Sequence, residues 1–375
     1  MSSVPNCRYV SYHNSWSGMG EAARNYIIAL TKADVDISTE KIPHPTESAD
    51  FGEGHRLATQ LENRDNKYQV KIVHATGDLF LKHLEPLKYH IAHLFWEVDR
   101  MDKAWVWNTN LADEVWTGSE YSKEALKKSG VKIPIFVFPQ AVKTIYDDPI
   151  EPLDFPNHKG YLFYSIFQWI ERKNPKALVQ SYLKEFENND DVSLLLKVFG
   201  LNYSQDEALK IKKDIAEWKT ELNQKHYPRI FIDTALRDKS DIYRIHSAGD
   251  CFVLPHRGEG WGIPIVEAMT FAKPVITTNL GGCTEWFHKD YVHLLKYDMV
   301  NVFNMDYVPW YTEDQKWAEV DQADLREKMR HLYEHRDIGQ AMGRKGQEVV
   351  NKQFNYETVG NLLKKRLEDI GRIIE

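Results

Sequence analysis

The chain has 375 residues, more than a single compact core usually holds, so two domains are expected. Its hydrophobic content of 42% supplies large cores, and its net charge of −7, with no block of Lys and Arg, excludes nucleic acid as a main partner, because backbone phosphates call for concentrated positive charge. Cys7, Cys251 and Cys283 are too few and too scattered for a disulfide framework or a zinc site, which fits a reducing cytoplasm. Residues 1–13 lack the charged and then apolar order of a signal peptide, so none is expected. No apolar run is long enough to span a bilayer, and contact with a membrane is expected at most from one side.

Along the chain, short apolar runs alternate with amphipathic segments, the pattern of parallel α/β units. Strands are predicted at 9–12, 70–74, 91–95, 114–117 and 135–138. A helix at 21–30 carries Ala23, Ile27 and Leu30 on one face, and 122–128 reads as a short exposed helix. The polar stretch 147–160, with Pro149, Pro152 and Pro156, reads as a linker. The alternation then restarts with strand 161–166, helix 175–186, strand 193–198, helix 206–222, strand 230–232 and helix 239–246. Strand 251–254, helix 264–271 and strand 275–278 follow, and the C-terminal segment reads as charge-rich helices. The predicted division is a first α/β domain over 1–150, a second over 151–354, and a helix over 355–375 that crosses back to the first. Two such halves imply a ligand cleft between them.

The densest signal runs from Asp250 to Gly282, DCFVLPHRGEGWGIPIVEAMTFAKPVITTNLGG. A buried strand enters a loop with Gly258, Gly260 and Gly262, and a helix opens at Pro264. Proline suits a first helical position because its missing N–H has no partner there anyway. Glycines let the backbone approach a ligand closely, and the positive end of a helix dipole suits a diphosphate. Glu259 lies in the loop and Glu267 in the early helix. Helical side chains lean toward the N-terminus, so Glu267 is expected to face the same pocket and accept hydrogen bonds from two sugar hydroxyls.

This segment resembles the signature of the retaining family-4 glycosyltransferases, a Glu, seven residues and a second Glu, here Glu259-Gly-Trp-Gly-Ile-Pro-Ile-Val-Glu267-Ala-Met. Lys273-Pro274-Val275-Ile276 and Gly281-Gly282 match as well. The resemblance implies an α/β fold of the GT-B type, with two facing Rossmann-like domains and an inter-domain cleft. It implies transfer of a sugar from a UDP- or GDP-linked donor to a hydroxyl of a glycan, a lipid-linked or another acceptor, with retained anomeric configuration. Glu267 would hold the nucleotide ribose, while Glu259, Gly260, Trp261, Gly262 and Ile263 would meet the sugar and diphosphate. The segment Phe167–Pro175, FQWIERKNP, is similar to the family's basic loop. Lys173, and next to it Arg172, would face the diphosphate, whose charge grows as the glycosidic bond breaks. Another Arg is common earlier in that loop, but Phe167 stands there. Gly18 and Gly20 resemble the family's N-terminal glycine loop, which reaches the donor.

The acceptor side is expected in the 91–97 segment, where either His93 or the pair Trp96 and Glu97 takes the role. An indole stacks on a sugar's apolar face, and a carboxylate accepts its hydroxyls; a purely structural role for the tryptophans is the competing reading. His74 reads as structural. Asp34-Val-Asp36 has the form of a metal-binding DxD, but it lies between a helix and a strand, so no metal and no cofactor are expected. Lys123, Lys127 and Lys128 read as a solvated helix face rather than a membrane patch. A rival class is a nicotinamide-dependent oxidoreductase using Gly18-Met-Gly20-Glu-Ala-Ala23, with Asp36 as the acid. The loop before Gly18 is long for that fingerprint, and it leaves Glu259 and Glu267 unused. A sugar-nucleotide epimerase and a catalytically inactive sugar-nucleotide binder are further alternatives.

Overall fold

A computed structural model describes residues 4–44, 51–146, 148–155, 158, 160–188 and 190–375. The predicted linker therefore falls partly outside the described residues, with Asp147 and Pro156 among those not covered. The chain divides into two compact units. Unit 1 comprises Met1–Thr144, Gly281–Cys283 and Asn351–Glu375; unit 2 comprises Ile145–Leu280 and Thr284–Val350.

Unit 1 begins with β1 (Cys7–Ser11), α1 (Gly18–Lys32), β2 (Ile37–Lys41), α2 (Glu53–Gln60), β3 (Val70–His74) and β4 (Tyr89–His93). It continues with α3 (Lys103–Thr109), β5 (Glu114–Thr117), α4 (Glu120–Ser129) and β6 (Ile135–Val137). The six strands form one parallel sheet in the order β2-β1-β3-β4-β5-β6.

Unit 2 holds β7 (Tyr161–Gln168), α5 (Pro175–Glu185), β8 (Val192–Phe199), α6 (Gln205–Leu222), β9 (Arg229–Asp233) and α7 (Lys239–Ala248). Then come β10 (Cys251–Leu254), α8 (Ile263–Thr270), β11 (Val275–Thr278) and β12 (His293–Leu295). These strands make a second parallel sheet, β12-β11-β10-β7-β8-β9. An antiparallel hairpin of β13 (Tyr297–Asn301) and β14 (Lys316–Val320) precedes α9 (Gln322–Glu334) and α10 (Arg336–Gln353).

The last helix, α11 (Tyr356–Ile374), completes the core of unit 1. Its Val359, Leu363, Leu367 and Ile370 recur at helical spacing and join Tyr26, Ile27 and Leu30 of α1 in one buried cluster. A Cβ on Gly360 would stand 2.1 Å from the Ala29 carbonyl oxygen, so only glycine lets the two helices approach this closely. Arg366, also on α11, is ion-paired at 2.5 Å with the fully buried Glu114 of β5.

Both sheets are doubly wound, and each has a place where successive connections turn opposite ways. In unit 1 it lies between β1 and β3; in unit 2 it lies between β7 and β10. Ligands of such sheets bind beyond the carboxyl ends of the strands at this switch. The predicted glycine loop follows β1, and the two predicted donor loops follow β7 and β10. Topology therefore selects the same loops as the sequence motifs do.

Candidate active site

In unit 2 the loop after β7 closes as a 3-10 turn, Glu171–Lys173, and Asn174 takes the left-handed conformation at φ 55° to cap α5. Its side-chain oxygen accepts from the Ala177 N–H, and Pro175 opens the helix. The loop after β10 lies directly against this turn. The Arg257 N–H donates to the Arg172 carbonyl at 2.7 Å, and Arg172 Nη1 donates to the Gly258 carbonyl at 2.8 Å. Lys173 is ion-paired with Glu259, and both side chains are nearly buried. Three residues expected to act together are thus brought together.

Arg257 braces the pair of loops from behind. It bonds Glu171 at 2.8 Å and Glu319 of β14 at 2.7 Å, and lies over the rings of Phe303 and Trp317. Asn174 donates to the same Glu319 at 3.2 Å. Neither brace was visible in the sequence, because Glu319 lies far along the chain in a hairpin that the motif does not include.

Burial alone would raise the Glu259 pKa, but the cations of Lys173 and then Arg172 outweigh it and hold the carboxyl at about 2. Glu259 is therefore an anion at neutral pH. His256 is fully buried beside it, and burial pushes its imidazole down to about 3, so it stays neutral. Among the described residues neither of its ring nitrogens has a hydrogen-bond partner.

Helix α8 starts at Ile263, one residue before the predicted start, with Gly262 at φ 97° as its N-cap. Only this glycine of the loop needs the left-handed region; Gly258 and Gly260 do not adopt it. Gly262 carries no capping oxygen, so the helix presents backbone to the loop. Trp261 and Ile263 are buried and serve as walls of the loop. Glu267 is buried, with its Oε1 ion-paired to Lys239 of α7 and its Oε2 3.6 Å from His246 Nε2. Lys239 and His246 were missed at the sequence level, since no spacing rule links them to Glu267.

In unit 1, Ser17 caps α1 by accepting from the Gly20 N–H at 3.1 Å. A Cβ on Gly20 would lie 2.2 Å from the Ser15 carbonyl oxygen, so this glycine serves the turn itself. A Cβ on Gly18 would meet open space, which leaves the helix start approachable.

The acceptor-side residues part company. His93 is fully buried in a cluster with His74, stacked at 4.2 Å, and the Tyr9 hydroxyl contacts both Nδ1 atoms, at 2.8 Å for His74 and 3.2 Å for His93. The phenol can donate to one ring and accept from the other. Burial pushes both pKa values down, so both imidazoles are neutral at neutral pH. Trp96 is likewise fully buried, packed edge-on at 5.3 Å against Trp105 and donating to the Arg100 carbonyl, so it offers no face to a sugar. Glu97 keeps partial exposure. Asp36 of the DxD sequence is tied to Arg64, as a surface acid.

No group of three or more His, Cys, Asp or Glu among the described residues is arranged to hold a metal ion. No helix among them is long and apolar enough to cross a membrane. All three cysteines are fully buried.

Residues 154–297, all but three of them in unit 2, match the family model described as glycosyl transferases group 1. None of the curated proteins matches the sequence. Among solved structures, HepE from Anabaena in complex with UDP and glucose is 14% identical with a TM-score of 0.66, over 97% of this chain and 100% of that one. Sucrose-phosphate synthase from Thermosynechococcus elongatus is 14% identical with a TM-score of 0.70, over 98% and 100%. A glycosyltransferase from Rickettsia africae is 13% identical with a TM-score of 0.62, over 99% and 98%. The fold is GT-B. Together with the family match in unit 2, it supports a glycosyltransferase, and it does not favour the oxidoreductase alternative.

Proposed function

We propose that the protein moves a sugar from a UDP- or GDP-linked donor to a hydroxyl acceptor with retention of configuration. The observation that carries this reading is the meeting of the Arg172–Lys173 turn with the Glu259 loop at the switch point of the unit 2 sheet. HepE, which shares the fold, has been solved with UDP-glucose.

In this reading Glu267 accepts hydrogen bonds from the ribose, and the start of α8 faces the diphosphate. Lys173 and Arg172 offset the charge that develops as the bond from C1 to the phosphate oxygen breaks. The acceptor oxygen bonds to C1 on the face being vacated, and its proton passes to the departing phosphate oxygen. No metal or cofactor takes part, since the cations and the helix dipole carry the diphosphate. Glu97 meets the acceptor, whether glycan or lipid-linked, and the enzyme works in the cytoplasm, with contact to a membrane surface at most peripheral.

The test is turnover of a panel of UDP- and GDP-sugars in the presence of EDTA, with the product anomer read by NMR. Transfer with retention in chelator supports the reading. An inverted product, or activity lost in EDTA and restored by Mn²⁺ or Mg²⁺, contradicts it.

A further inference from the structure

Behind Glu267 lies a buried polar chain that the motif does not include. Tyr164 is the fourth residue of β7, and its ring fills the space a Cβ on Gly249 would need, 2.1 Å from Cδ1. It is fully buried, and burial pushes the phenol pKa far up, so it keeps its proton. Among the described residues its hydroxyl has one hydrogen-bond partner, His246 Nδ1 at 2.9 Å.

A buried hydroxyl proton with one acceptor in reach goes to that acceptor. His246 Nδ1 therefore receives the bond, and the ring hydrogen of the neutral imidazole sits on Nε2. The ring cannot turn away, being edge-on to Tyr164 at 5.5 Å and stacked on Phe271, at the end of α8, at 5.6 Å. Nε2 has no hydrogen-bond partner among the described residues, and Glu267 Oε2 stands 3.6 Å away. A shift of a few tenths of an ångström completes a bond that a buried N–H otherwise lacks.

We propose that Tyr164 and His246 are positioning residues that hold the Glu267 carboxylate in register for a ribose cis-diol. The inference rests on the donor-binding role of Glu267 given above. Lys239 holds Oε1 and the imidazole N–H faces Oε2, so neither oxygen can swing, yet a carboxylate has about four lone-pair sites and keeps acceptors for two hydroxyls. The imidazole is neutral, so it orients the carboxylate without cancelling its charge.

The test is calorimetric binding of UDP and GDP, each beside its 2′-deoxy and 3′-deoxy analogue, to the full chain. The ratio of ribo to deoxy affinity reads the carboxylate's orientation, which general packing damage does not change selectively. The parent is expected to prefer the ribo form on the order of tenfold. Tyr164→Phe and His246→Leu should bring that ratio toward one while deoxy affinity holds. His246→Gln, whose amide N–H can stand near Nε2, should recover part of it. Parent-like ratios in Tyr164→Phe and His246→Leu overturn the proposal, as does an equal fall in ribo and deoxy affinity, which would mark a packing role. A ribose preference that survives in Glu267→Ala, or a parent that binds neither nucleotide, instead removes the donor-site reading on which the proposal rests.

Discussion

Lys173 and Glu259, 86 residues apart in sequence, form an ion pair between the loop after β7 and the loop after β10. The pair fixes two loops that meet where the sheet reverses its winding, and it puts an ammonium and a carboxylate side by side at the proposed diphosphate site.

Lys173→Ala should lower kcat by roughly 10²–10³, the scale of one lost electrostatic donor, with a smaller change in donor affinity. Arg172 remains near Glu259, so the carboxylate stays charged and repels the diphosphate. Adding Glu259→Gln should therefore recover donor affinity but not kcat. Lys173→Arg should restore only part, because a planar fork does not replace a point charge. Steady-state kinetics decide; near-parent kcat in folded Lys173→Ala would mean the leaving group is stabilised elsewhere.

Gly360→Ala should destabilise unit 1 by about 1–3 kcal/mol, the usual cost of overpacking. The new methyl meets the Ala29 backbone, which cannot move aside as a flexible side chain does. Urea unfolding followed through the tryptophans of unit 1 checks this. An unchanged midpoint would show that α11 slides freely on α1.

Stability should fall as pH drops below about 6.5, well before carboxylates titrate. Burial holds the imidazoles of His74 and His256 at about 3 and those of His13 and His293 at about 4. Between those values and the ordinary 6.5 the unfolded chain binds more protons than the folded one, so stability rises with pH and is lost on acidification. Glu259 adds to the loss below its ordinary 4.5, because its folded value is about 2. Unfolding midpoints at pH 8, 6 and 5 test the sign; a flat profile across this range would contradict it.

The parts of the fold that were legible are those whose sequence is nearly pure signal. β10, with Cys251 to Leu254 all buried, reads as a strand on either face, and the glycine loop with Pro264 marks the start of α8. β2 was missed because Ile37–Lys41, ISTEK, buries Ser38 and Thr39 and so breaks the apolar pattern. The short helices α2 and α3 and the β13–β14 hairpin offer too few residues for periodicity to show. The site was legible along the chain but not across it. Glu267 is named by its motif, whereas Lys239 and His246 reach it only through the packing of α7 on α8. The burial of His93 was not legible, because a strand in a parallel sheet is covered on both faces and a place at a strand end does not tell which way the ring turns.

The most direct test of the central claim is calorimetric titration of nucleotide sugars into the parent protein and a folded Glu267→Ala variant. The account predicts that the parent binds a UDP- or GDP-sugar. It also predicts that the variant loses on the order of 1.5–3 kcal/mol of that affinity, the worth of a hydrogen bond to a charged acceptor. Equal affinity in the two proteins would contradict it, because the carboxylate at the heart of the proposed donor site would then touch no donor.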